Sequence, residues 1–223
     1  MTRIDKIAFV LSLIAVIAAY LVADRVFERM PHLEDEIAFV WQAQVSARGD
    51  LTVPSPPEED SFTVGFVIDK DGRRFGKYPL GWPALLSIGL RLGLRAWVNP
   101  LLAGLGVWLT YRLVKRLTSE IVALLAAGLT LTSPFFLINS GSLLSHPFGL
   151  VLSTAFVLAW VDNFLLSRQK KNWLPTIVAG LALGCLLITR PFTAFGVALP
   201  FGLHGVYLLV RGDKQTRLRV LTV

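Results

Sequence analysis

Charge is scarce in this chain. Asp, Glu, Lys and Arg make up 17% of its 223 residues, where ordinary soluble domains carry about 25%. Apolar residues take up the difference at 54%, and the mean hydropathy is +0.60. That balance excludes a freely soluble globular domain and reads as an integral membrane protein. Cysteine is nearly absent. Cys185 stands alone inside an apolar run, so no intrachain disulfide forms and the residue reads as a small lipid- or helix-facing side chain. There is no internal repeat and no low-complexity tract. Net charge is +7, yet the basic residues fall in short clusters between apolar runs. This is the pattern of cytoplasmic membrane loops, and no nucleic-acid partner is expected.

Six apolar runs approach the ~20 residues a bilayer crossing requires: 7–23, 100–114, 121–138, 147–166, 173–189 and 192–210. Arg3 and Lys6 precede the first. A cleaved signal peptide is the rival reading there, with Val16-Ile17-Ala18 as a weak cleavage site. The run is long for a signal and further spans follow, so an uncleaved anchor is expected. Residues 79–94 are apolar but short, are broken by Gly81, Pro83, Gly89 and Gly93, and carry Arg91 with Arg95 just beyond. The distribution of basic residues decides whether they span. If they do not, Arg112/Lys115/Arg116, Arg168/Lys170/Lys171 and Arg211/Lys214/Arg217/Arg219 all share the side of Arg3 and Lys6. The expectation is therefore an all-α polytopic membrane protein with about six spans and both termini cytoplasmic. Residues 79–94 then form a helix at the outer interface, with Trp82 and Trp97 as headgroup-level anchors.

The long outer loop, 24–99, has its own organisation. Residues 35–48 read as an amphipathic helix, with Ile37, Val40, Trp41 and Val45 at helical spacing and acids on the first turn. Residues 51–60 form a Pro-rich connector. Residues 62–68 alternate, and Asp69-Lys70-Asp71-Gly72 is a turn signal, so a small hairpin returning toward Phe75 is expected.

This topology gathers four elements on one face. They are His32 with Glu34-Asp35-Glu36, then Lys77 in Lys77-Tyr78-Pro79-Leu80, then Ser145-His146-Pro147 heading the fourth span, and Arg190-Pro191 between the fifth and sixth. A carboxylate can take a proton from an attacking hydroxyl. Lys and Arg stabilise a departing phosphate, Arg as a two-pronged donor. The chemistry that suits the set is transfer of a group from a lipid-linked phosphate, with the bilayer as a substrate reservoir.

These residues resemble the membrane-embedded GT-C glycosyltransferases, in particular the protein O-mannosyltransferase and lipid A aminoarabinose transferase group. The resemblance covers the whole chain as the N-terminal half of such an enzyme, a single transmembrane domain over residues 1–223. It implies a polyprenyl-phosphate sugar as donor and an acceptor on the outer side of the cytoplasmic membrane. The family's Asp-Glu pair falls on Asp35-Glu36, with Asp35 as base and Glu36 its neighbour. Its Lys-Pro-Pro-Leu falls on Lys77-Tyr78-Pro79-Leu80, with Tyr78 in place of the first proline. The second outer loop usually presents an Asp where this chain has His146. On this pattern Lys77 and Arg190 hold the donor phosphate, and His146 and Tyr78 contact substrate.

Plainer readings stand beside each assignment. The acids could cap a helix N-terminus, Lys77 could snorkel, His146 could sit next to a capping Ser145, and Arg190 could anchor on headgroups. A divalent ion on His32, His146 and Glu36 is a further option that no ligand spacing fixes. His204, at mid-span, is expected to pack against another helix. A non-catalytic membrane component, such as a lipid-carrier flippase or an envelope-complex scaffold, is the functional alternative. A transporter would place its polar groups at the bilayer midplane, whereas here they gather at one rim.

Overall fold

The computed structural model describes residues 2–166 and 173–223. The basic cluster Arg168/Lys170/Lys171 lies outside the described residues. Every one of the six apolar runs is helical. The helices are α1 (Arg3–Arg25), α2 (Glu34–Ala47), α3 (Gly81–Arg91), α4 (Val98–Leu117), α5 (Glu120–Thr132), α6 (Pro134–Gly141), α7 (His146–Trp160), α8 (Leu174–Leu187), α9 (Pro191–Arg211) and α10 (Lys214–Leu221). Among the described residues three stretches are long and apolar enough to cross a membrane as single rods: α1, α9, and α7 with its π-helical extension Val161–Leu166. The third run is bent by 60° between α5 and α6. Pro134 lacks the N–H that would continue the ladder, and Ser133 caps the new helix through Phe136 N. The fifth run is the 14-residue α8, and α4 carries Arg112, Lys115 and Arg116 on its last turns.

α1 and α4 pack closely because Gly104 lets the backbones meet. A Cβ there would stand 2.8 Å from the Ser12 carbonyl oxygen. Phe156, Trp160, Ala179, Leu186 and Ala194 build a second core between α7, α8 and α9. His204 packs against α7, as expected, its Nδ1 accepting from Trp160 Nε1 at 3.1 Å. The sequence marks Arg211, Lys214, Arg217 and Arg219 only as a basic cluster. The last three lie on α10, and Arg219 is buried with Nη1 donating to Asn163 Oδ1 at 2.8 Å.

The segment between α1 and α4 folds on top of the bundle. α2 and α3 pack face to face around Phe39, Val40, Ala43, Trp82 and Leu86. The buried face of α2 is rotated from the expected one: Ile37 is exposed, and Phe39 and Ala43 are inside. α3 has 11 residues, about 16 Å of helix, and cannot cross a bilayer. Trp82 departs from its expected role as a headgroup anchor. It is wholly buried, and its indole N–H donates to the Leu143 carbonyl at 2.9 Å. Trp97 stacks on Tyr20 with centroids 3.8 Å apart. Arg91 of α3 donates to the Ala47 carbonyl at 2.7 Å, closing the end of α2.

The hairpin is present but shorter than the alternating pattern. β2 (Val67–Lys70) pairs antiparallel with β3 (Arg73–Gly76) across Asp71-Gly72, both at positive φ, the turn that Asp-Gly favours. Residues before Val67 leave the strand because Phe66 sits at φ 59°. β1 (Val53–Pro54), inside the Pro-rich connector, adds a third strand beside β3. Asp69 pairs with the buried Arg74 at 2.6 Å, and that guanidinium holds the Asp69 carboxyl below its ordinary value.

Candidate active site

Three side chains from three elements fix the turn between α6 and α7. Glu36 Oε1 accepts from Leu143 N at 2.8 Å, and Trp82 donates to Leu143 O. Asn99, at the head of α4, donates from Nδ2 to the carbonyls of Ser142 at 2.7 Å and Leu144 at 2.9 Å. The other Glu36 oxygen accepts from His32 N at 2.7 Å and Leu33 N at 3.2 Å, closing the first turn of α2. Glu36 is 1% exposed. Its carboxylate is thus occupied by backbone donors, and it ties α2 to the turn that carries Ser145 and His146. The sequence reading had placed it at the chemistry; the geometry makes it a clamp.

A second tie brings the Tyr78 segment to the α8–α9 junction. Gly81 N donates to the Ile188 carbonyl at 2.8 Å. A Cβ on Gly81 would lie 2.2 Å from Thr189 Oγ1 and 2.8 Å from that carbonyl oxygen. Only glycine fits there. Gly81→Ala is expected to push α3 off the junction at a cost of about 1–3 kcal/mol, measured as a lowered midpoint of thermal unfolding in detergent. On the other side, Gln42 Oε1 accepts from Gly76 N at 2.7 Å, holding the end of β3 against α2.

These ties enclose a cavity of about 440 Å³ at one end of the bundle. Asp35, Tyr78, His146 and Arg190 all line it, with Phe39, Pro79, Ser145 and Thr193 among the other walls. Tyr78 Oη donates to Asp35 Oδ1 at 2.5 Å. Desolvation, then the bond to Asp35 and its charge, push the Tyr78 phenol up to about 12. It therefore stays protonated, and stays a donor to Asp35, across the whole physiological range. Arg190 is half-buried. Nη1 donates to Ser145 Oγ at 3.1 Å and Nε to Thr193 Oγ1 at 3.3 Å. Among the described residues no carboxylate pairs with it. Burial draws its guanidinium below the ordinary value, but an arginine remains charged at any physiological pH. Gly149 makes room for its stem, since a Cβ there would stand 2.8 Å from Arg190 Cδ. The first turns of α7 and α9 border the same space, and their free N–H groups add positive potential.

Other expected site residues lie elsewhere. Lys77 is exposed and does not line the cavity; its ammonium sits 4.7 Å from the Phe66 ring centroid. His32 is exposed beside Phe27. Among the described residues no three His, Cys, Asp or Glu side chains group closely enough to hold a metal ion. His32, Glu36 and His146 therefore do not form a common ligand set. Asn99, Trp82 and Gly81 were not recognised from sequence. The one signal was a polar Asn immediately before Pro100 at the head of a span.

No curated protein and no solved structure matches the chain. The family model for dolichyl-phosphate-mannose-protein mannosyltransferases matches residues 79–221, more than half of the chain. The matched region includes His146 and Arg190, while Asp35 and Tyr78 precede it. The helices, the cavity at one end of the bundle and this match agree: the chain belongs to the dolichyl-phosphate-mannose-protein mannosyltransferase family and is a multi-pass membrane glycosyltransferase.

Proposed function

We propose that the chain transfers a sugar from a polyprenyl-phosphate donor to an acceptor hydroxyl, in the cavity between Asp35 and Arg190, on the outer side of the cytoplasmic membrane. One observation carries the reading. A carboxylate and an arginine without an acidic partner, far apart in sequence, line the same cavity at a rim of the bundle. The acceptor oxygen attacks the anomeric carbon as Asp35 takes its proton. The bond from that carbon to the phosphate oxygen breaks, and its electron pair leaves with the polyprenyl phosphate. Arg190, Ser145 and the first turn of α9 stabilise the charge that gathers there. A single displacement of this kind inverts the anomeric centre. Tyr78 orients the base through its hydrogen bond to Asp35.

The outward orientation rests on charge. Arg3, Lys6, Arg112, Lys115, Arg116 and the α10 basic residues lie at the end of the bundle away from the cavity, as the contacts Lys115–Asp5 and Arg116–Asp162 require. The cytoplasmic side takes the basic end. In the same reading both termini are cytoplasmic.

Two substitutions separate the roles. Arg190→Gln is expected to raise the donor KM and lower kcat/KM by about 10²-fold, the scale for one lost donor to a developing anion. Tyr78→Phe is expected to lower kcat by about tenfold at unchanged donor KM, because it loosens the base and leaves the phosphate contacts intact. Steady-state transfer from a polyprenyl-phosphate mannose in nanodiscs checks both. An Arg190→Gln enzyme with wild-type kcat/KM overturns the reading.

A further inference from the structure

At the opposite end of the bundle, α1 and α4 border a second cavity of about 350 Å³, lined by Asp5, Trp108, Arg112, Lys115 and Arg116. Its charges are unequally committed. Lys115 Nζ is 2.7 Å from Asp5 and 2.6 Å from Glu120, and Arg116 Nε is 3.1 Å from Asp162. Arg112 is half-buried with its guanidinium 5.8 Å from the Trp108 ring centroid, and no carboxylate pairs with it among the described residues. Asp5, Glu120 and Asp162 thus neutralise Lys115 and Arg116, and Arg112 is the cation of the lining left without a carboxylate partner among the described residues.

The wall above it is apolar. Leu101, Leu105, Trp108 and Arg112 follow one stripe of α4 at helical spacing, and Leu101 and Leu105 are exposed. Phe9 of α1 meets Trp108 edge-on at 6.0 Å, and Phe9 and Leu13 are exposed on the adjoining stripe. A pocket that holds the unpaired Arg112 at the helix ends therefore adjoins an exposed apolar surface on α1 and α4. An inorganic anion would use only the first part. A phospholipid uses both.

We propose that this pocket and the apolar surface beside it bind an anionic phospholipid, with its phosphate against Arg112 and an acyl chain along Leu105 and Leu101. The site is separate from the sugar-transfer cavity and does not depend on the reaction proposed for it. Trp108 supplies the aromatic girdle that marks the headgroup level, and basic pockets between spans are the usual seats of acidic headgroups.

Native mass spectrometry of the full chain, titrated in detergent with phosphatidylglycerol or phosphatidylcholine, tests this. One phosphatidylglycerol is expected to be retained in preference to phosphatidylcholine, and Arg112→Gln is expected to weaken its retention about fivefold. Arg112→Lys, which keeps the charge, should recover most of it. Arg211→Gln, removing an exposed cation at the same end, should change nothing. Among the described residues Arg112 makes no hydrogen bond that holds the fold, and an unchanged unfolding midpoint of the lipid-free variant checks that. Equal weakening by Arg112→Gln and Arg211→Gln would mean diffuse surface charge and would overturn the proposal. So would equal retention of the two lipids. Competition by millimolar inorganic phosphate that displaces the lipid fully would also overturn it, by assigning the site to a free anion.

Discussion

Asp35→Asn is expected to lower the rate of sugar transfer by about 10²- to 10⁴-fold at saturating donor, the range for removal of a general base. Asparagine keeps the shape and still accepts the Tyr78 hydroxyl through Oδ1, so the 2.5 Å contact that seats the side chain survives in kind. Membrane insertion and the unfolding midpoint should match wild type. The donor should bind nearly as well, because the residues proposed to hold its phosphate lie at the heads of α7 and α9. Radiolabelled transfer assays beside a thermal melt separate the two effects. Near-normal turnover would remove Asp35 from the chemistry.

Glu36, the adjacent acid, should behave in the opposite way. Three backbone N–H groups, of His32, Leu33 and Leu143, converge on its buried carboxylate. Glu36→Ala leaves Leu143 N without an acceptor in a buried site, while the N–H groups of the exposed His32 and Leu33 can turn to water. At about 1–3 kcal/mol for an unsatisfied buried group, a loss of about 1–3 kcal/mol is expected. The α6–α7 turn would loosen, and His146 and Ser145 would move with it. Glu36→Gln keeps one acceptor oxygen and should fall between the two. The readout is the unfolding midpoint in detergent, with activity falling in parallel. If Glu36→Gln lost turnover while its melting curve stayed at wild type, Glu36 would be a participant in the reaction and the clamp would be the wrong account.

Much of this arrangement was legible in the sequence. Apolar run length located all six helical stretches, and Asp71-Gly72 announced the hairpin, because each depends on local chemistry alone. The basic clusters also allowed Asp35, His146 and Arg190 to be placed at one end of the bundle. What sequence could not supply was direction. Asp35 and Glu36 are neighbours with the same charge, yet the rotation of α2 sends one into the cavity and the other onto the backbone of a distant turn. The same rotation leaves Ile37 exposed and buries Phe39. Trp82 looked like an interfacial anchor because its neighbours are apolar. Its indole is instead drawn inward by the free Leu143 carbonyl, which belongs to a turn some sixty residues away. Lys77 fits a family pattern by position, but the Phe66 ring takes its ammonium aside. Gly81 looked like a helix breaker, and its meaning emerges only with Thr189 and Ile188 against it.

The central claim is that the cavity divides its labour between a base at Asp35 and a phosphate seat at Arg190. The most direct test is equilibrium binding of a non-transferable polyprenyl-phosphate sugar analogue to the chain in nanodiscs, compared across wild type, Asp35→Asn and Arg190→Gln. The division predicts that Asp35→Asn binds within about threefold of wild type, whereas Arg190→Gln loses about 10- to 100-fold, as expected for removal of a charge-assisted contact. Equal affinity of Arg190→Gln and wild type, or a larger loss in Asp35→Asn than in Arg190→Gln, would contradict it.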